Sequence, residues 1–486
     1  MPSADYPQAR RCIVARKVDS RMGVFDAVMW GVETDPLLRS VITLVVMLDK
    51  KPNRKVLTQR VEEMSIRVPA LRCRVVGNPV SLVPPRWEST DDFDMNYHLR
   101  FRRAANTRDE AHVLDVAEHM AEMDFDRARP LWEAIVIEGL KGNKAAVIMK
   151  IHHAITDGVG GMAMAASLFD LTDDPSQRPE QELPEIIETG HEDAMDRLVD
   201  GTEYSAKTAV DQIKGIAGGA KNMVTGTVTD PVGTVKSSVD FTSSAARILA
   251  PASTPMSPVM RGRSLGVHFA VLEAPLEGLK QAGKANGGTL NDAFMAFVSG
   301  GIALYQAAHG VSLDECPAVR VNMPVNLRPR TDAPSQGNRW VPARFPLPLG
   351  PADAAARIRE LHPILLQART EPALEISEPI FRVLTSLPRP ATTALAAGMM
   401  KGTDVAATNV PGPPIPVYMA GARVDQLVPF APKGGAAMNV AFMSYNGKAE
   451  IGINLDTAAI YDHDVMVRCL EESLAQVLAS APEQGD

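Results

Sequence analysis

His152-His153-Ala154-Ile155-Thr156-Asp157-Gly158 is the stretch around which this sequence is organised, because it places two imidazoles and a carboxylate between two structured runs. The preceding Ala145–Ile151 (AAVIMKI) is apolar and partly β-branched, which predicts a buried strand, and Gly158–Asp170 (GVGGMAMAASLFD) predicts a helix of small residues. Successive side chains of a strand point to opposite faces. We therefore expect His152 to face the core and His153 to face a cavity.

The chemistry of the imidazole group makes His153 the predicted catalytic base. A neutral imidazole titrates near physiological pH, so it can take a proton from an alcohol or thiol and return it to a leaving group. This behaviour suits acyl transfer. In the alternative interpretation, His152 and His153 are hydrogen-bonded groups of a structural turn, and Asp157 caps the following helix.

The overall composition limits the class of protein. The chain has 486 residues, 45% of them hydrophobic, which favours two or three domains. Fifty basic and 58 acidic residues give a net charge of −8, which argues against nucleic acid as an obligate partner. Four scattered cysteines without metal-ligand spacing predict reduced thiols of a cytoplasmic protein and no metal site: Cys12, Cys73, Cys316 and Cys469.

Strand-like and helical runs alternate along much of the chain, which predicts an α/β fold. Two such regions, residues 1–172 and 264–486, flank a linker over 173–263. Within the linker, residues 191–250 carry apolar side chains beside lysines, which is compatible with amphipathic helices on a membrane or lipid-droplet surface and equally with a solvated crossover. Two similar α/β lobes favour an active site at their interface.

Individual elements can be assigned from periodicity and turn residues. Strands are predicted at Ser40–Leu48, Cys73–Val76, Gly266–Leu272, Ala318–Val325, Ala436–Ser444 and Lys448–Asn454. Helices are predicted at Arg54–Val68, Thr107–Met123, Leu276–Lys284 and Pro351–Arg369, and a turn-rich segment at Thr408–Pro416.

A membrane anchor is not expected. The N-terminal residues lack the apolar segment of a secretion signal. The uncharged stretch Ala293–Leu313 is long enough to span a bilayer, but it contains Gln306, His309 and adjacent glycines. A buried core helix that begins near Asp292 explains it better, because an acidic side chain at a helix N-terminus is favourable.

Four short motifs occur in a fixed order across nearly the whole chain. They are Pro130-Leu131-Trp132, the His152–Gly158 run, Asn291-Asp292, and Asn409-Val410-Pro411-Gly412-Pro413. Together they resemble the bacterial wax ester synthase/diacylglycerol acyltransferase family, a branch of the chloramphenicol-acetyltransferase-like, CoA-dependent acyltransferases. The chain departs from the pattern at Gly23–Trp30 and at Thr408, where a serine is common. These departures bear on acceptor choice more than on reaction class.

The resemblance implies two chloramphenicol-acetyltransferase-like lobes with an active-site tunnel at their interface, acyl-CoA entering from one face and the acceptor from the other. His153 would deprotonate the hydroxyl of diacylglycerol or a long-chain alcohol, without a covalent acyl-enzyme and without a cofactor other than the co-substrate acyl-CoA. In the superfamily the motif aspartate holds its loop through an ion pair, so Asp157 is implied to be structural, with a triad role as the alternative.

Four further residues are predicted to contact substrate: Trp132, Gly158, Asn291 and Asp292. Three of them have a plainer interpretation. An Asn-Asp pair that begins a helix is also an ordinary capping arrangement, and Trp132 is also a typical buried core indole.

Other functions remain as alternatives at this point. The same scaffold could serve as a lipid-binding or lipid-droplet coat protein, or as a condensation-type enzyme with a carrier-protein thioester. A literal G-x-S-x-G at Gly262–Gly266 does not indicate a hydrolase, because a strand follows the serine where a nucleophile elbow needs a helix.

Overall fold

The computed structural model describes residues 20–77, 84–105, 109–156, 158–179, 182–185, 199, 254–326, 340–370 and 389–482. Asp157 and nearly all of the predicted amphipathic segment 191–250 lie outside the described residues.

The described strands and helices follow the predicted α/β alternation. The strands are β1 (Val41–Leu48), β2 (Cys73–Val76), β3 (Arg86–Ser89), β4 (Leu99–Arg103), β5 (Trp132–Glu138), β6 (Ala145–His152), β7 (Val267–Pro275), β8 (Ala318–Asn326), β9 (Trp340–Pro348), β10 (Val405–Pro411), β11 (Tyr418–Met419), β12 (Ala422–Phe430), β13 (Met438–Tyr445) and β14 (Lys448–Asp456). The helices are α1 (Val24–Val32), α2 (Arg54–Arg67), α3 (Met95–His98), α4 (Glu110–Glu122), α5 (Gly158–Ala166), α6 (Leu276–Ala285), α7 (Leu290–Ala308), α8 (Ala354–Arg369), α9 (Arg389–Met400) and α10 (His463–Ala479).

The first sheet carries the histidine strand at its centre. Its six described strands have the order β11-β12-β1-β6-β5-β4. Every residue of β6 is buried, and β6 pairs antiparallel with β1 on one side and β5 on the other. A strand that is covered on both faces needs apolar residues at nearly every position. This is why the apolar run Ala145–Ile151 could be identified as a buried strand from the sequence.

Two strands of the first sheet come from the C-terminal part of the chain. β12 pairs antiparallel with β1, with Thr43 opposite Phe430, and β11 follows it at the edge. The segment 264–486 therefore does not form a lobe of its own, because it also completes the sheet of the other lobe. No local pattern in the sequence predicts this crossover.

The second sheet has the order β7-β14-β13-β10-β8-β9. Strand β10 runs parallel to its neighbours β13 and β8, and the other neighbouring strands are antiparallel. The predicted turn-rich segment Thr408–Pro416 is wrong for its first part, since residues through Pro411 belong to β10. Asn and Pro favour turns locally, but the ladder to β13 overrides that preference.

Helix α7 forms the centre of the second lobe. Its side chains, Phe294 and Phe297 among them, are buried around most of its circumference, as expected for a core helix packed between the sheet and α8 and α10. Among the described residues, no helix combines the length and apolar character that a bilayer crossing requires. The core-helix interpretation of Ala293–Leu313 is thus confirmed, with the helix beginning two residues before Asp292.

The two lobes are joined along the edge strand β7. Two carboxylates one helical turn apart on α4, Glu118 and Glu122, accept the backbone N–H groups of Phe269 and Val267 at 2.6 and 3.0 Å. Farther along this interface, a Cβ on Gly452 would lie 1.8 Å from the carbonyl oxygen of Pro429, so only glycine allows β14 to cross β12 this closely. The sheets therefore meet in close contact near the histidine strand.

Candidate active site

His152 is sealed in the first lobe. Its side chain is 1% exposed, and its ring lies edge-on to Trp30 with the centroids 5.5 Å apart. The backbone N–H of Ala154 donates to Nδ1 at 3.0 Å, so Nε2 carries the hydrogen and donates to Glu33 Oε1 at 2.9 Å. The predicted inward orientation of His152 is confirmed, and both ring nitrogens are occupied.

Glu33 links the two chain segments that border the cleft. The same Oε1 atom accepts the backbone N–H of Ser40 at 2.6 Å, and the Ser40 carbonyl accepts the backbone N–H of His153 at 2.8 Å. Arg127 Nη2 lies 3.6 Å from the other carboxylate oxygen. One buried carboxylate therefore fixes His152 directly and the backbone of His153 through Ser40.

His153 turns the other way and lines a cleft of about 980 Å³, a volume that includes its mouth open to solvent. Met29 and Ser40 line it from the first lobe. The second lobe and the segment that follows β12 supply the rest: Asn322, Pro324, Met400, Thr403, Ala406, Ala407, Thr408, Asn409, Val410, Ala431, Pro432, Lys433, Gly434 and Asn439. The predicted cavity-facing orientation of His153 is confirmed.

Two of the sequence motifs meet beside this cleft. Asn409 lines it, and its Nδ2 donates to Asn291 Oδ1 at 2.6 Å. Asn291 is thus hydrogen-bonded to a residue of the cleft wall that lies 118 residues away in the sequence. This contact orients both amides.

Asp292 is occupied by the scaffold. It forms a capping box with Thr289, whose backbone N–H and hydroxyl donate to Oδ2 at 2.6 and 2.8 Å, and His362 Nδ1 lies 2.9 Å from the same oxygen. Asp292 is 2% exposed, and the described lining of the cleft does not include it. The structure therefore favours the capping interpretation over substrate contact.

Trp132 also belongs to the core. Its indole N–H donates to the Leu71 carbonyl at 2.8 Å, and its ring stacks on His98 with the centroids 4.6 Å apart. Gly158 is the first residue of α5, and neither residue is among the described lining of the cleft. Asp157 lies outside the described residues, so its ion-pair and triad roles stay predictions.

Lys433 holds the chain segment that forms one rim of the cleft. Its Nζ contacts the Ser264 and Gly266 carbonyls and Asp456 Oδ2 at 3.0, 2.7 and 2.7 Å. Burial lowers its pKa, and Asp456 opposes that shift. The serine of the G-x-S-x-G sequence also donates to Asp456, at 2.9 Å, which gives Ser264 a structural role. Among the described residues, no cluster of three or more His, Cys, Asp or Glu could hold a metal ion.

The sequence motifs include Asn409 but none of the other polar residues around His153: Glu33, Ser40, Asn322 and Asn439. Glu33 carries no motif, and its partner His152 is 119 residues away. Asn322 and Asn439 had a usable signal, because each lies within a mostly apolar strand (AVRVNMPVN and MNVAFMSY). A polar side chain in such a position needs a structural or functional reason.

Family models match most of the chain. The model described as "Wax ester synthase/diacylglycerol acyltransferase catalytic domain" matches residues 22–294, and "WS/DGAT C-terminal domain" matches residues 336–477. The chain belongs to this family. The family resemblance predicted from the four motifs is confirmed, and the chain is an acyltransferase of the wax ester synthase/diacylglycerol acyltransferase family.

Relatives and solved structures agree with this assignment. A Mycobacterium tuberculosis protein whose name gives diacylglycerol O-acyltransferase as an inferred activity is 33% identical over 467 residues, 96% of this chain and 93% of its own length. The wax ester synthase/diacylglycerol acyltransferase from Marinobacter aquaeolei has a TM-score of 0.62 at 20% identity, covering 95% of this chain and 99% of that one.

More distant structures share the fold. The first condensation domain of the calcium-dependent antibiotic synthetase has a TM-score of 0.58 at 14% identity, covering 96% of this chain and 98% of that one. The predicted two-lobed α/β fold is confirmed. At these identities the structural likeness concerns the fold alone.

Proposed function

We propose that this family member transfers a long-chain acyl group from acyl-CoA to the hydroxyl of diacylglycerol, with His153 as the general base. One observation carries the proposal: of the two adjacent histidines, His152 has both ring nitrogens occupied in the core, whereas His153 lines the cleft between the lobes. An imidazole in a cleft can exchange protons with a bound substrate.

The reaction balances without a cofactor. His153 takes the hydroxyl proton as the alcohol oxygen attacks the thioester carbonyl carbon. The new C–O ester bond forms, the C–S bond breaks, and the proton passes from the imidazolium to the CoA sulfur, so that CoA leaves as the free thiol.

The walls of the cleft support a lipid substrate. Met29, Met400, Ala407 and Val410 supply apolar surface, and a few polar groups stand among them. The names of the relatives support diacylglycerol as acceptor, and the name of the Marinobacter enzyme supports a long-chain alcohol as a second acceptor.

Lipid substrates also support activity at a membrane or lipid-droplet surface. Leu171 and Ile415 are 73% and 51% exposed, and they belong to the two chain segments that the antiparallel bridge between Asp170 and Tyr418 joins. Large exposed apolar side chains of this kind can enter the interfacial region of a lipid layer. Flotation with phosphatidylcholine vesicles that contain diacylglycerol tests this part, and the double variant Leu171→Ser, Ile415→Ser should float less than the unchanged protein.

The experiment that tests the reaction is a competition between acceptors. Purified protein is given palmitoyl-CoA with equal amounts of diacylglycerol and hexadecanol, and the products are separated by thin-layer chromatography while CoA thiol release is followed. We expect triacylglycerol as the main product and wax ester as the lesser one. Binding of palmitoyl-CoA by folded protein without product would contradict the proposal and support the lipid-binding alternative.

A further inference from the structure

A transverse row of asparagines crosses the second sheet. Ala406 of β10 is directly opposite Asn322 of β8 and Asn439 of β13, and Asn439 is directly opposite Asn454 of β14. Side chains at directly paired positions point to the same face of a sheet. Since the flanking residues of these strands, such as Val440 and Ile453, pack into the core around α7, the asparagines lie on the opposite face, toward the first lobe.

The amides of Asn439 and Asn454 have fixed orientations. Their Nδ2 groups donate to the Pro432 and Ala431 carbonyls at 2.8 and 3.0 Å. Each side chain is 5% exposed, yet among the described residues nothing donates to Oδ1 of either one. A buried acceptor without a donor is costly, so both oxygens are suited to accept hydrogen bonds from a ligand.

The row leads out of the cleft that contains His153. Asn439 lines that cleft, whereas Asn454 lines a second, smaller cleft on the other side of the segment Pro432–Gly434. All three residues of that segment line both clefts. A ligand that extends from His153 across the sheet toward the second cleft would pass Asn439 first and Asn454 next.

The ligand that fits this row must present two hydrogen-bond donors spaced like adjacent strands, about 4.8 Å apart. Diacylglycerol and a long-chain alcohol each have one hydroxyl, which is the reacting group. The pantetheine arm of CoA has two secondary amides joined through two methylene groups, and standard bond lengths put their nitrogens about 5 Å apart when extended. The sulfur lies three bonds from the nearer amide nitrogen, on the side of His153.

We infer that Asn439 accepts a hydrogen bond from the amide N–H nearer the thioester sulfur, and Asn454 from the second amide N–H of the pantetheine arm. The inference deepens the proposed function and rests on its acyl-thioester donor. It makes the two asparagines donor-binding residues that act on thioester selection rather than on proton transfer.

The test compares three acyl donors that differ in amide groups: palmitoyl-CoA with two, S-palmitoyl-N-acetylcysteamine with one, and S-butyl thiopalmitate with none. Asn439→Leu should lower kcat/KM for the first two donors, and Asn454→Leu for palmitoyl-CoA alone, by roughly fivefold for each hydrogen bond lost. For S-butyl thiopalmitate, which has no amide, both variants should show only the loss of kcat/KM that affects all three donors equally.

Asn286→Leu is the matched control. Asn286 is also a buried asparagine of the second lobe, and its Nδ2 donates to the Ala282 carbonyl at 2.9 Å, but it lines neither cleft. Its substitution should leave the ratios of kcat/KM among the donors unchanged. A lower amount of folded protein, or a weaker attachment of the chain at Pro432, lowers kcat/KM for all three donors alike. Such a loss therefore does not change the ratios of kcat/KM among the donors.

Equal losses for all three donors would overturn the inference and assign the asparagines to anchoring of the chain segment alone. If the unchanged protein transfers acyl groups from none of the donors, the proposed function fails. Calorimetric binding of the unreactive thioethers S-hexadecyl-CoA and S-hexadecyl-N-acetylcysteamine then decides the inference. Weaker binding of both thioethers by Asn439→Leu, together with weaker binding of S-hexadecyl-CoA alone by Asn454→Leu, supports the inference. Unchanged affinities in both variants overturn it.

Discussion

Each lobe presents a pair of adjacent polar residues near the cleft, and the two pairs behave differently. His152 and His153 end strand β6, whereas Asn291 and Asp292 begin helix α7. In each pair one member is held by the scaffold, His152 by Glu33 and Asp292 by Thr289 and His362. The other member faces the cleft or, for Asn291, bonds to a residue that lines it.

The difference lies in how the backbone separates neighbours. On a strand, adjacent side chains point to opposite faces, so one histidine can be held in the core while the next one lines the cleft. At a helix start, adjacent residues share one end of the element, so Asp292 closes the capping box while its neighbour Asn291 is held by Asn409 of β10. Strand ends therefore separate structural and chemical roles more cleanly than helix starts.

The largest expected effect separates the two histidines by activity. His153→Ala should lower the acyl-transfer rate by about 10³-fold, since a positioned general base contributes 10² to 10⁴. Its melting temperature should match that of the unchanged protein, because the side chain lines the cleft. Steady-state kinetics and thermal denaturation on the same preparation measure both quantities. Near-normal turnover of His153→Ala would show that the two histidines do not differ in catalytic role.

His152→Ala should show the reverse pattern, mainly a loss of stability. It leaves a cavity between aromatic rings and removes the donor to the buried Glu33, and we expect the free energy of unfolding to fall by about 3 kcal/mol. Urea denaturation measures this. Adding Glu33→Gln, which removes the buried charge, should recover part of the loss, and strictly additive effects would indicate that the two side chains are not coupled.

Asp292→Ala should destabilise the second lobe to a lesser degree. Loss of the capping box and of the His362 contact should lower the free energy of unfolding by about 2 kcal/mol. Asn291→Ala, one residue away, should leave stability nearly unchanged while lowering activity. Denaturation curves and turnover of the two variants, measured side by side, check the division of roles. If both variants lost the same free energy of unfolding, Asn291 and Asp292 would not have separate roles.

Glu450 is buried as deeply as His152, but its carboxyl group has no hydrogen-bond partner among the described residues. Burial raises its pKa to about 7, Glu273 adds to the rise, and Lys448 opposes it. A carboxyl group whose pKa is raised on folding stabilises the folded state below its unfolded pKa, and this contribution is lost as pH rises through the folded value.

Glu450→Gln should therefore raise the free energy of unfolding by about 1 to 2 kcal/mol at pH 8 and by less at pH 5. Urea denaturation at the two pH values measures the difference. Glu273→Gln, at the exposed position of β7 directly opposite Glu450, is the control and should show a smaller pH dependence. A gain that is equal at pH 5 and pH 8 would show that ionisation of Glu450 is not the cause.

Local sequence decided the elements and the orientation of the histidines. The apolar run Ala145–Ile151 fixes β6, and strand alternation then sends His152 inward and His153 outward. The turn Tyr445-Asn446-Gly447 joins β13 to β14, with positive φ values of 45° at Asn446 and 80° at Gly447, as such short hairpins require. These features depend on neighbouring residues, so the sequence alone contains their causes.

Tertiary structure decided which distant residues meet. The crossover of β12 into the first sheet, the contact of Glu33 with His152 and the pairing of Ala406 with both Asn322 and Asn439 all join segments that are far apart in the sequence. Strand partners and register are selected by the packing of whole faces against each other. The sequence therefore determined that His153 would leave the core, and only the assembled lobes determined what surrounds it.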